Sequence, residues 1–383
     1  MQTERRHRQQ SGQASQLGFT RAPAEDDPRT HPKLLEAIGR VAPGTELRQG
    51  IDDIIRSRTG ALIVIGDPAE LSFLYSGGMR LEQPFSYQLL YELAKMDGAI
   101  ILNQSISKIS FANVQLMPDP TIPSGETGTR HRTAERVAKQ TGALVISISQ
   151  QRETVTLFVN QLRYQLEQVA DLLAKTNQAL HTLETYRQRL DQVLTRLTAL
   201  EFQGAVMLDD VLVVLQRAEL STRMADEIER DCVELGAEGR LIRMQLGELI
   251  GDLPSERAAV VADYQAGSET SIQTTIDRLA ALSYHELIDF EQLAGALGYP
   301  AQVDPVDHAV SPRGYRILSH VPRLPENVIR RVVTRLDGLE AIVRASQREL
   351  EAVEGVGAVR AREIREGLRR LQEHNLVDRY LQV

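Results

Sequence analysis

Asp97-Gly98-Ala99-Ile100-Ile101-Leu102, followed after a loop by Thr129-Arg130-His131-Arg132-Thr133, decides how this chain reads. A carboxylate and a tight turn feed a short apolar run, the pattern of a buried strand. Two cations then flank a histidine where a helix begins. Ala134, Val137 and Ala138 share one face of that helix, which the spacing carries to about Gln140. Cations sit at the wrong end of the helix dipole in this position. Three potentially cationic side chains there imply an anion for them to hold, and phosphate suits the free N–H groups of the same terminus.

Outward from this stretch, helices alternate with strands. Leu47, Ile51, Ile54 and Ile55 give helical spacing, and Ala61 to Ile65 reads as a buried strand closed by Gly66-Asp67-Pro68. Tyr87 to Met96 reads as a helix, and further strands are expected at 108–112, 144–148 and 154–159. Together they predict an α/β domain over 34–160. The loop from Pro118 to Gly128 is rich in Pro, Gly, Thr and Ser, a setting that often carries function. Residues 1–33 lack apolar periodicity and are expected to be disordered.

From 161 to 283 the pattern is helical. Leu166, Val169, Leu173, Leu180, Leu183, Leu190, Leu194 and Leu197 recur at 3,4 spacing, with Thr176 and Arg187 interrupting the seam. This predicts the inner face of an antiparallel bundle, with a coiled-coil partner surface as the alternative, in an all-α linker domain without visible chemistry. Residues 284–383 are expected to form a second all-α domain. Ser346-Gln347-Arg348-Glu349 is a capping box opening a short helix, Gly355-Val356-Gly357 breaks it, and another helix follows from Ala358. The pattern resembles a helix-hairpin-helix, which holds a DNA backbone through glycines and helix N–H groups. Val321-Pro322-Arg323-Leu324-Pro325 looks like a second, degenerate hairpin, its preceding helix opened by Ser311-Pro312. Gly355-x-Gly357 is not a dinucleotide fingerprint, because it follows a helix and Arg360 occupies the third glycine position.

Charge and composition narrow the class. The net charge of −8 excludes a global basic field, so nucleic acid would have to meet a local patch. From His320 onward there are 12 arginines, no lysine and 10 acids, a net of +2 in that part. Arg313, Arg323, Arg360 and Arg362 flank the two turns and suit phosphate contacts. Cys232 is the only cysteine, which excludes an intrachain disulfide and a thiolate zinc cluster. No apolar run reaches membrane-span length, and Arg5-Arg6 lacks the apolar core of an export signal. A cytoplasmic protein, without membrane contact, is expected.

Asp97-Gly98-Ala99, then Phe111-Ala112-Asn113-Val114-Gln115-Leu116, then Gly128 to Ala134 together resemble the bacterial diadenylate cyclase family. The likeness is greatest to members that end in DNA-scanning hairpins, and it runs from about Leu34 to the end. It implies condensation of two ATP into the second messenger cyclic di-AMP, with release of two pyrophosphates. Arg130 and Arg132, with Thr129 and Thr133, would hold the phosphates. Asp97 and His131 would meet Mg²⁺ or Mn²⁺, Asp97 alternatively orienting the attacking hydroxyl. Gly98, Ala99 and Leu116 would contact the nucleotide, and Gln150 stands where the family often has arginine. Arg323, Gly355, Val356, Gly357, Arg360 and Arg362 would contact DNA. The resemblance further implies a homo-octamer with paired cyclase domains, nucleoid association, and inhibition by branched DNA such as Holliday junctions. Two other readings account for less of the sequence. A DNA-binding scaffold that only senses ATP would not need Asp97. A ligase or repair polymerase would need an adenylated lysine, a Walker lysine or paired carboxylates, none of which is visible.

Overall fold

A computed structural model describes residues 27–267 and 270–381, with side chains through 373. The chain divides into two compact units, residues 1–178 with 227–244, and 179–226 with 245–383.

In the first unit, α1 (Pro32–Arg40) and α2 (Glu46–Arg56) precede β1 (Ala61–Ile65), β2 (Tyr75–Ser76) and β3 (Met79–Pro84). Then come α3 (Tyr87–Ala94), β4 (Ala99–Leu102), β5 (Lys108–Leu116), α4 (Thr129–Thr141), β6 (Leu144–Ile148), β7 (Val155–Val159) and β8 (Leu162–Gln165). The strands form one mixed sheet in the order β2-β5-β4-β1-β6-β7-β8, with β3 also on β5. β1 runs parallel to β4 and antiparallel to β6. Every residue of β1, β4 and β6 is buried, because helices cover both faces. Ile63, Ile65, Ile100 and Ile146 face α1, α2 and α3, whereas Leu62, Val64, Ile101 and Val145 face Ala134, Val137 and Ala138 of α4.

The expected strands at 61–65 and 144–148 are present, and the strand at 108 runs on to Leu116. Three strands were missed. β2 and β3 are exposed edge pieces with little apolar pattern, and β8 lies in the region expected to be helical.

The expected disorder of 1–33 is corrected from Asp27 onward; residues 1–26, including Arg5-Arg6, lie outside the described residues. Asp27 caps a short 3₁₀ turn, Pro28–Thr30. Arg29, 3% exposed, donates to Asp231 at 2.5 Å and to Asp27 at 2.9 Å. Glu234 lies 3.8 Å from the same guanidinium and accepts from Tyr164 Oη at 2.6 Å. A paired arginine thus anchors a stretch that is too polar to register as core.

Helix α5 (Val169–Gln203) begins in the first unit and ends in the second; α6 (Leu208–Leu235) and α7 (Arg240–Ile250) are likewise shared. The second unit adds α8 (Leu253–Tyr264), α9 (Ile272–Ala281), α10 (Tyr284–Ile288) and α11 (Phe290–Ala296). Its apolar core joins Leu190 and Leu197 to Val211, Leu215, Val260 and Leu293. Beyond it lie α12 (Tyr315–Ser319), α13 (Glu326–Leu336), α14 (Leu339–Arg344), α15 (Gln347–Glu351) and α16 (Ala358–Leu381). These share a further core built on Ile317, Ile329, Val332, Leu350, Val353, Ile364 and Leu368. The capping box at Ser346 and Glu349 is present. The helix expected to open at Ser311-Pro312 instead starts at Tyr315, because the buried Asp263 carboxylate accepts from the N–H groups of Gly314, Tyr315 and Arg316 at 2.7, 2.7 and 2.9 Å.

Candidate active site

The site is built where β1 and β4 begin and the antiparallel β6 ends. Ile63 lies opposite Ile100 on the parallel β4, and Gly60 and Asp97 precede these two strands by one and two residues. Ala61 lies opposite Ile148, where β6 leads into Ser149 and Gln150. Asp97, Gly60 and the end of β6 therefore lie at the same end of the sheet. Asp97 is exposed and has no ion-pair partner among the described residues.

Gly98 has φ +91°, a conformation that suits glycine. Ala99 is 1% exposed, so its side chain belongs to the core and only its main chain remains for a ligand. Leu116, half-buried, packs against the same cluster as Ala99 and Val114.

α4 brings the basic residues to this end of the sheet. Its N-cap is Gly128, without a side-chain hydrogen bond, and its first turn holds no acid, so the helix start carries no capping or acidic side chain of its own. Arg130 crosses to β6, where Nη1 lies 3.4 Å from the Ile148 carbonyl. His131 packs edge-on against Phe158 at 6.4 Å between ring centres. Burial, then Arg163, Arg130 and Arg152, hold its imidazole below the ordinary value, with Glu126 acting the other way. Near neutral pH it is therefore an uncharged donor or acceptor rather than a third cation. Arg132 is exposed and donates to the carbonyls of Glu126 and Thr127 at 3.3 and 3.4 Å. Thr129 is exposed and Thr133 half-buried, one turn apart.

The loop before α4 is tied down by residues that the sequence reading did not single out. Arg136 donates to the Ile122 carbonyl and Lys139 to that of Pro123, each at 2.9 Å. Glu135 accepts from Ser124 Oγ and from the Gly125 N–H, and Gln140 from the Asp119 N–H at 3.0 Å. These polar residues recur at helical spacing opposite the apolar face, which was the only signal available. The concavity lined by Arg48, Ile55, Val155, Leu166 and Asp171 opens elsewhere on this unit and contains none of the expected site residues.

No group of three or more His, Cys, Asp or Glu suited to a metal exists among the described residues. A single exposed carboxylate still fits Mg²⁺ or Mn²⁺ chemistry, because such ions take one or two carboxylates together with substrate phosphates.

At the carboxyl-terminal end, Gly355 has φ +86° and Gly357 faces open space. Val356 is 4% exposed and its N–H donates to the Val353 carbonyl, so its side chain packs the turn. Arg360 donates to the Gly355 carbonyl at 2.7 Å. Arg313 is corrected as a phosphate contact, since it donates to the carbonyls of Ala262, Asp263 and Gln265 at the end of α8. Arg323 and Arg362 are exposed and without ion pairs among the described residues.

Residues 48–162 match the family described as DisA bacterial checkpoint controller nucleotide-binding, and 166–306 match the DisA bacterial checkpoint controller linker region. The chain is 50% identical over 342 residues to the DNA integrity scanning protein DisA of Carboxydothermus hydrogenoformans, covering 89% of this chain and 97% of that one. It is 45% identical to the protein of the same name from Acetivibrio thermocellus, covering 92% and 98%, and 47% identical to that of Kineococcus radiotolerans, covering 91% and 98%. No helix among the described residues is long and apolar enough to cross a membrane. With both family models matched and such relatives covered almost end to end, the chain belongs to the DisA family and is a diadenylate cyclase.

Proposed function

We propose that Asp97, Arg130, His131 and Arg132 are the groups that make cyclic di-AMP from two ATP. The observation carrying this reading is a helix start without a side-chain cap or first-turn acid that carries two arginines, Arg130 reaching the end of the sheet that the exposed Asp97 precedes. Arg130, Arg132 and the Thr129 and Thr133 hydroxyls hold the triphosphate and stabilise charge on the α-phosphate. Gly98 lets the nucleotide approach the main chain, and Leu116 offers an apolar surface to adenine. A bound Mg²⁺ or Mn²⁺, held by Asp97 and the phosphates, would stabilise the leaving pyrophosphate.

In each half-reaction a ribose 3′-oxygen loses its proton and bonds to the α-phosphorus of the other ATP. The bond from that phosphorus to pyrophosphate breaks. Two equivalent linkages favour two sites facing each other across a two-fold axis, as in a homo-octamer with paired cyclase domains.

The carboxyl-terminal helices act in this reading as a helix-hairpin-helix unit for DNA backbone, through Gly355, Gly357, Arg323, Arg360 and Arg362. Branched DNA such as a Holliday junction engages several units at once and lowers cyclase activity, in a cytoplasmic, nucleoid-associated protein. Purified protein with ATP and Mn²⁺ or Mg²⁺ tests the chemistry, with the product identified by mass and the rate followed against junction DNA. Bound ATP without cyclic dinucleotide would overturn the residue roles. A rate indifferent to bound junctions would overturn the regulation.

A further inference from the structure

The space that holds Arg130 is created by a missing side chain. A Cβ built on Gly60 would lie 2.0 Å from Arg130 Nη1 and 2.9 Å from its Cζ. No other group of the neighbourhood conflicts as severely, the Ile148 carbonyl oxygen being 3.1 Å away. Gly60 has no left-handed φ, so the main chain at this position does not itself require glycine. What requires it is the guanidinium. Arg130 lies across the start of β1, with Nη1 aimed at the Ile148 carbonyl at 3.4 Å.

That hydrogen bond is long, and a freely rotating arginine at the positive end of a helix gains by swinging toward solvent. Confinement in the Gly60 slot opposes that tendency and holds the fork at the start of β1. An arginine whose donors already point one way loses less rotamer freedom when it meets a phosphate. We infer that Gly60 is a positioning residue for ATP: its bare α-carbon admits the Arg130 guanidinium to the start of β1, where the Ile148 carbonyl orients it toward the phosphates.

This inference rests on the proposed phosphate role of Arg130. The test compares Gly60→Ala, Arg130→Ala and the double variant in the full-length protein, by ATP affinity, KM, kcat and thermal melting. Gly60→Ala should leave the melting temperature near that of the wild type, because only a flexible side-chain end must move. Its ATP affinity should fall about tenfold, approaching that of Arg130→Ala, as expected for loss of one charge-assisted contact. On the Arg130→Ala background the added methyl should change nothing. Loss with Arg130→Ala but not with Gly60→Ala overturns this inference alone. An equal further loss in the double variant overturns it as well, since Gly60 would then act through something else. No loss in either single variant overturns both the phosphate role and the positioning role.

Discussion

Gly98 lies against Val114 so closely that a Cβ would come within 2.8 Å of the Val114 carbonyl oxygen. It does so at φ +91°, with β4 leaving its register against β5 just beyond. The turn that presents Asp97 is therefore set by main-chain contact. Gly98→Ala combines left-handed strain with this contact and should destabilise the protein by roughly 1–3 kcal/mol. Denaturant unfolding measures it, and cyclase activity should be lost even where the variant is still folded. An alanine variant of wild-type stability would show that the turn does not need glycine.

Asp97 itself should behave in the opposite way. It is exposed and unpaired, so Asp97→Asn should change stability by less than about 0.5 kcal/mol. Turnover should fall by at least about a hundredfold, with ATP binding largely kept. Near-normal cyclic di-AMP production would remove the carboxylate from the chemistry.

Arg29 and Asp231 bind the amino-terminal stretch to α6 within the first unit, both nearly fully buried. Asp231→Ala leaves the guanidinium without its shortest partner. The expected loss is about 3 kcal/mol, read as a lowered denaturant midpoint. A change below measurement error would mean that Asp27 and Glu234 suffice to hold Arg29.

Asp263 gives a pH dependence. Burial pushes its carboxyl up to about 7, although three N–H groups from the start of α12 oppose the shift. A carboxyl raised on folding contributes stability fully at pH below its unfolded value, near 4, and the contribution is lost as pH rises through about 7. Measured against Asp263→Asn, wild-type stability should therefore decline between about pH 5 and 7, by at most roughly 1.4 kcal/mol per pH unit. A difference that stays flat or rises across that window would contradict the assignment.

Gly357 offers the cleaner test of DNA contact. Nothing lies within 4 Å of a Cβ built there, whereas at Gly355 it would meet Arg331 Nη1 at 2.9 Å and the backbone is left-handed. Gly357→Glu should keep stability and basal cyclase rate while weakening junction binding and its inhibition at least tenfold, through a carboxylate placed against phosphate. Inhibition equal to the wild type would show that this turn is not where DNA is sensed.

An α/β domain ahead of helical regions and the buried strands of its sheet were legible in the sequence, as were Asp97-Gly98-Ala99 and Arg130-His131-Arg132 as the segments to propose for the site. Those features are written in local periodicity, turn residues and spacing, which short segments carry without their neighbours. The edge strands β2, β3 and β8 escaped because exposed strands lack the apolar pattern of buried ones. Arg29 and Arg313 were read as tail or DNA-facing charge, yet both lie against the protein, because their partners are Asp231 and the carbonyls closing α8, far along the chain. Gly60 gave no signal at all. Its meaning arises only where β1, β6 and α4 meet, and that meeting is decided by strand register and by the packing of α4 on the sheet, which no single segment encodes.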